Sequence, residues 1–156
     1  AALSLGGLDE AIQECKEPTH LLMNRQLRTK FSIAMRDQTL AGNVNYQNNN
    51  LGKKVMHYGD LEFLVGYEGG PEGDVLPFTE TGSGGGAAQT SSIYILSLKP
   101  GHVMGIQSQA LQAYDMGELE TKPARRTRIE WDCGIVIEDP YCAVRYTSIT
   151  NAALAA

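Results

Sequence analysis

Gly82-Ser83-Gly84-Gly85-Gly86-Ala87 fits the G-x-G-x-x-A spacing that lets backbone N–H groups approach a phosphate. Such a loop also needs a lysine for charge and a helix whose start faces the anion. No Lys follows here, and the next apolar run, Ser92-Ile93-Tyr94-Ile95-Leu96, reads as a strand. The glycine run is therefore expected to be a flexible loop. Ser83 lacks the preceding strand that sets the sharp turn of a nucleophile elbow. His20, His57 and His102 lie far apart, none has a second His at i+4, and the Cys15/His20 spacing is not that of zinc ligands. Cys133 with a remote histidine is the remaining arrangement for nucleophilic chemistry. Its neighbours Trp131, Ile135 and Ile137 place it on an apolar strand face, so it is expected to be a buried structural thiol. Glu130 and Asp132 would stand about 7 Å apart on one strand face, within the range of a glycosidase pair. No aromatic sugar platform accompanies them, and they read as the polar face of a sheet. Lys122, Arg125, Arg126 and Arg128 sit beside Asp115, Glu118 and Glu120. A nucleic-acid patch would need more cationic surface and stacking aromatics. Opposite charges this close suit a hairpin face or a subunit contact. These motifs predict no catalytic residue, no metal site and no cofactor.

The elements that must position these residues follow from periodicity. Leu5, Leu8, Ile12 and Cys15 recur at helical spacing over 5–17, with Asp9 and Glu10 expected in the first turn and Pro18 ending the element. His20-Leu21-Leu22-Met23 reads as a short buried strand. Asn24 is an N-cap for an amphipathic helix over about 25–37, with Leu27, Phe31, Ala34 and Met35 on its apolar stripe. The asparagine-rich stretch 42–54 reads as an extended loop. Val55–Tyr58 and Leu61–Val65 flank Gly59-Asp60 as a hairpin. Residues 66–91 are expected to be irregular, and strands follow near 92–98, 102–107 and 110–116. Ile129, Trp131, Cys133, Ile135 and Ile137 alternate with polar residues and predict a long half-buried strand. Asp139-Pro140 turns it into a partner over 141–149. Helices first and strands last argue for an α+β class.

Composition bounds the rest. A chain of 156 residues forms one domain. Its net charge of -5 weighs against sequence-specific nucleic-acid binding. The segment 55–98 holds six acids and no Lys or Arg, an asymmetry that a basic surface on a neighbouring copy would match. No apolar run is long enough to span a membrane. The three cysteines, without a CxxC pair, predict free thiols in a reducing compartment.

Several runs together resemble a known family. Leu8-Asp9-Glu10-Ala11-Ile12, Pro18-Thr19-His20-Leu21-Leu22-Met23-Asn24-Arg25 and Arg28 are similar to phage and prophage major capsid proteins of the Hong Kong 97 fold. So are Tyr58-Gly59-Asp60-Leu61, Ser92-Ile93-Tyr94-Ile95, Arg126-Thr127-Arg128-Ile129-Glu130-Trp131 and Ala143-Val144-Arg145-Tyr146, in the same order. The likeness covers nearly the whole chain, and its specificity lies in the combination. Family members are usually longer, with an N-terminal arm, an extended loop and a spine helix ahead of this region. The resemblance implies an α+β fold of two N-terminal helices on a mixed, largely antiparallel sheet with a long C-terminal β-hairpin. It implies a single domain over 1–156, with about 1–120 as axial domain and about 121–150 returning toward the peripheral domain. The function it implies is that of a structural subunit of an icosahedral capsid. Copies of the chain itself, and a scaffolding or decoration protein, are the partners to expect. The location would be the virion, and the host cytoplasm before assembly. Asn48, Asn49, Asn50, Gly84, Gly85, Asp115, Glu118, Glu120, Arg125 and Arg126 are the expected contact residues, in the 43–54 and 66–91 loops and the charged run. Two alternatives stand beside this: another phage structural module of tail, neck or decoration type, and a small thiol-dependent enzyme.

Overall fold

Ser4 caps the first helix, α1 (Leu5–Glu14), by accepting the Gly7 N–H at 3.4 Å. The helix ends three residues earlier than periodicity predicts, and Asp9 and Glu10 fall in its second turn and not its first. Asp9 acts through a tertiary contact instead. Its carboxylate accepts the Tyr58 hydroxyl at 2.7 Å and ties α1 to the sheet. Burial, then the bond to Asp9, push the Tyr58 pKa well up. The structure is a computed structural model and describes residues 1–36, 44–48, 52–66, 74–85 and 89–154.

After β1 (His20–Met23), the wholly buried Asn24 does two things. Its side-chain oxygen accepts the Gln26 N–H at 2.6 Å and starts α2 (Arg25–Arg36), as predicted. Its amide donates to the Leu76 carbonyl at 2.7 Å, which fixes the distant segment 74–80 against the helix start. Further along that segment, Glu80 bridges Thr90 through paired backbone bonds, pairs with Arg145 at 3.0 Å and accepts the Ser92 hydroxyl. Phe78 packs on the core. The described part of the 66–91 stretch is thus pinned to the sheet.

The remaining strands are β2 (Val44–Asn48), β3 (Lys54–Tyr58), β4 (Leu61–Val65), β5 (Thr90–Leu96), β6 (Val103–Gln107), β7 (Gln112–Leu119), β8 (Lys122–Glu130), β9 (Cys133–Ile137) and β10 (Ala143–Thr150). Six form one sheet in the order β10-β5-β1-β4-β3-β2, with β1–β4 the parallel pair and the rest antiparallel. The α+β class with a mixed, mostly antiparallel sheet is as the sequence implied. Gly59, at φ +58, makes the tight turn between β3 and β4 that only a residue tolerant of left-handed backbone can make. Strand β2 corrects the expected 42–54 loop. It is an edge strand whose residues after Val44 are all exposed, so its Asn, Tyr and Gln side chains face water and give no hydrophobic signal.

One face of the sheet is dry. Leu21, Met23, Phe63, Ile93, Ile95 and Ile149 meet Leu8, Leu27 and Phe31 of the two helices. Phe31 stands edge-on to Phe63 and Tyr58, with ring centroids 5.2 and 6.0 Å away. The opposite face is half-buried and carries a row of titratable groups. His20, Glu62 and His57 are cross-strand partners on β1, β4 and β3. His20 Nε2 lies 3.9 Å from the Glu62 carboxylate. Burial lowers the His20 pKa, Glu62 opposes this, and His57 adds to it. The unfolded chain therefore binds a proton at His20 before the folded one does. Stability is full above the ordinary histidine value of about 6.5 and falls as pH drops through it toward the lowered folded value. Urea midpoints at pH 7.5 and 5 should show this loss, and His20→Gln should flatten it. Among the described residues no group of His, Cys, Asp and Glu is arranged to hold a metal ion, and no helix is long and apolar enough to cross a membrane.

Candidate subunit interface

Between β5 and β10 the chain leaves the sheet, runs outward and returns. On this excursion β6 pairs with β9 in register Val103↔Ile137 to Gln107↔Cys133, and β7 pairs with β8 in register Gln112↔Glu130 to Leu119↔Lys122. This corrects the predicted hairpin of 129–137 with 141–149. The expected long strand breaks at Trp131-Asp132: its start belongs to β8, its end is β9, and 143–150 pairs with β5 instead. Alternation identifies a strand's two faces but leaves its partner open, and here each strand takes the neighbour that nests one hairpin inside the sheet connection.

The burial expected for that strand is also corrected. Within β6–β9, Val103, Ile135 and Ile137 share one face, and Met104, Ile106 and Val136 share the other. A two-stranded ribbon has no second layer of its own, and the described residues cover only part of its apolar surface: Val103 is buried where the ribbon meets the body, whereas Ile106, Ile135 and Ile137 are exposed. Ile135 is 80% exposed, Ile129 66% and Trp131 56%. Cys133, expected to be buried, is exposed, whereas Cys15 and Cys142 are the buried thiols. Ribbons of two strands are marginal alone in water, and contiguous exposed apolar surface of this kind marks an interaction site. Where the ribbon joins the body, Leu22, Tyr94 and Leu96 of the sheet face Val103, Ile135 and Ile137 across an apolar cleft of about 830 Å³.

The far part of the ribbon is charged. Register places Asp115 opposite Thr127 and Glu118 opposite Arg125, with Glu120 in the turn. Arg125 lies 3.8 Å from Asp115, and Arg128 pairs with Glu130. A bulge at Gly117, whose φ is +81, lets its N–H reach the Asp115 carboxylate at 2.9 Å and re-aims the strand. Exposed pairs such as these contribute about 0–1 kcal/mol each, so they set register and partner choice more than stability.

The predicted contact residues thus fall into separate places. Asp115, Glu118, Glu120, Arg125 and Arg126 are all exposed and come together on the β7–β8 ribbon. Asn48 ends the edge strand β2, exposed, while Asn49 and Asn50 lie outside the described residues. Gly84 and Gly85 occupy an exposed turn closed by the Gly85 N–H to the Gly82 carbonyl at 2.9 Å. Beside it, the Ser83 N–H donates to Ser148 at 2.9 Å, at the end of β10 remote from the ribbon. The residues sequence reasoning missed as surface are Ile106, Ile129, Trp131, Ile135 and Ile137. The signal was present: Ile135-Val136-Ile137 is apolar on both faces, which a strand with a solvated side would not be.

A solved structure shares this architecture. The holo-SrpI encapsulin complex from Synechococcus elongatus PCC 7942 superposes with a TM-score of 0.68 at 14% identity, over 99% of this chain. The chain has an encapsulin-type, Hong Kong 97-like fold. It spans about half of that encapsulin chain, 52% of its length. No family model and no curated protein matches the sequence. At this identity the likeness is one of fold.

Proposed function

We propose that the chain is the C-terminal half of a phage- or prophage-type major capsid protein, a structural and non-enzymatic subunit that builds an icosahedral shell by self-association. The observation that carries this reading is the two-faced apolar ribbon on a shell-protein fold: a surface that water disfavours and that a second protein layer would stabilise. The phage assignment, as against an encapsulin, rests on the resemblance of sequence runs such as Pro18–Arg25 and Arg126–Trp131 to that family. In this reading about 1–120 is the axial domain and the strands over about 121–150 return toward the peripheral domain. The charged contact set at Asp115, Glu118, Glu120, Arg125 and Arg126 selects the neighbouring copy. A scaffolding or decoration protein and a location in the virion belong to the same proposal.

Electron microscopy of the full-length gene product should show closed icosahedral shells; tubes, or no particles, would overturn the reading. Cys133 supplies a second readout from the ribbon itself. In dissociated subunits it should alkylate in the native state, while Cys15 and Cys142, whose pKa values burial raises, react only on unfolding. On assembly Cys133 should become protected by roughly tenfold or more. Equal rates in subunits and particles would remove the ribbon from the interface.

A further inference from the structure

A half-open pocket of about 370 Å³ lies beside the start of α2, where β3 and β4 part company. The two strands pair only at His57–Glu62 and Tyr58–Leu61; beyond this β3 follows β2, and β4 follows β1. Arg25, Arg28 and Lys54 line the pocket together with Val55, Met56, Phe63, Leu64 and Val65. Among the described residues Glu62 is the one carboxylate in the lining, and the nearest His20 nitrogen lies 3.9 Å from it. Among the described residues, neither Arg28 nor Lys54 has an ion-pair partner.

This concentration of positive charge runs against local electrostatics. The protein as a whole carries a net charge of -5. The start of a helix is its positive end, where acids are favoured and cations are not. Yet α2 has no acid in its first turn, and two of the three cations, Arg25 and Arg28, stand on it. Arg28 and Lys54, two like charges against the single Glu62 carboxylate among the described lining residues, raise the energy of the empty site, and an anion bound there lowers it. Arginine forks match the oxygens of a phosphate, and lysine adds a point charge. The apolar side chains in the lining suit the non-ionic part of the same molecule. The volume is at the small end for ligand sites, which sets an upper limit on its size.

We propose that this pocket binds a small phosphate monoester, with Arg28 and Lys54 as its principal charge partners.

Phenyl phosphate and inorganic phosphate, titrated separately into the 156-residue chain and followed by amide NMR shifts, test this directly. Sodium chloride at matched ionic strength is the reference. Both phosphates should give saturable shifts at Gln26, Leu27 and Val55, with phenyl phosphate the tighter ligand because its ring also covers apolar lining residues. Arg28→Gln combined with Lys54→Gln should weaken binding at least tenfold, with an unchanged circular dichroism spectrum. Arg125→Gln combined with Arg126→Gln on the ribbon should leave it unaltered. Shifts reproduced by chloride, or retained in the Arg28/Lys54 variant, would overturn the proposal. A short oligonucleotide that binds more tightly and is not displaced by phenyl phosphate would overturn the small-molecule ligand.

Discussion

Ile129→Asp combined with Ile135→Asp is expected to abolish self-association while leaving the subunit folded. The two outcomes separate because both side chains lie on the ribbon at 66% and 80% exposure, outside the core of the body. In the free subunit they are surface positions, where substitutions usually change stability by less than about 0.5 kcal/mol. In an assembled shell each isoleucine would be covered, and full burial of such a side chain contributes about 1.5–3 kcal/mol. An aspartate in the same place would have to lose its water without a partner, a cost of several kcal/mol more. Shells repeat each contact many times, so the loss at one interface is multiplied. Size-exclusion chromatography with light scattering and electron microscopy read the assembly, and a thermal melt reads the fold. Normal particles from the double variant would show that the ribbon is not the contact.

Phe31→Ala should be the most damaging single change to the body. Phe31 is wholly buried and edge-on to both Phe63 and Tyr58, so it joins α2 to β3 and β4 at once. Truncating a buried phenylalanine costs about 3–5 kcal/mol through lost transfer energy and the cavity left behind. Native domains have only about 5–15 kcal/mol in total, so this removes a large share. Ile33→Ala on the same helix is the control. Ile33 is 51% exposed, and alanine is the better helix former, so the change should stay below about 1 kcal/mol. Urea titration at constant slope distinguishes the two, and equal losses would mean that Phe31 is not the pivot of the core.

What could be read in advance tracks where burial is decided. His20–Met23, the Asn24 cap, α2 and the β3–β4 hairpin were legible because their apolar period matches a face buried by the chain itself. The ribbon was misread for the complementary reason. Ile129, Trp131, Ile135 and Ile137 have the spacing of a half-buried strand, but the described residues leave more than half of each exposed. Periodicity reports the preference of a residue for cover and says nothing of which molecule supplies it. Strand β2 escaped notice because an edge strand held by backbone bonds to β3 needs no apolar side chains. The charged residues proposed as contacts form a sequence neighbourhood and are one place in space, because a hairpin brings 115–120 and 122–126 together. The asparagine and glycine stretches were grouped with it by composition alone, and Asn48 and Gly84 lie on other parts of the surface.

The pairing of β5 with β10 has a kinetic side. These neighbours are separated by residues 97–142, a span whose closure as a slack loop would slow the search for the native sheet. The excursion is not slack. It can zip from the Glu120-Thr121 turn inward through contacts between near neighbours, until the Glu138 N–H meets the His102 carbonyl at 2.9 Å. At that point the ends of β5 and β10 are already side by side, and the Ser97 N–H closes on the Cys142 carbonyl at 2.9 Å. Shortening the effective loop about eightfold saves roughly 2 kcal/mol of closure entropy. The exposed ribbon thus acts as a zipper, delivering the last strand of the chain to its place in the sheet.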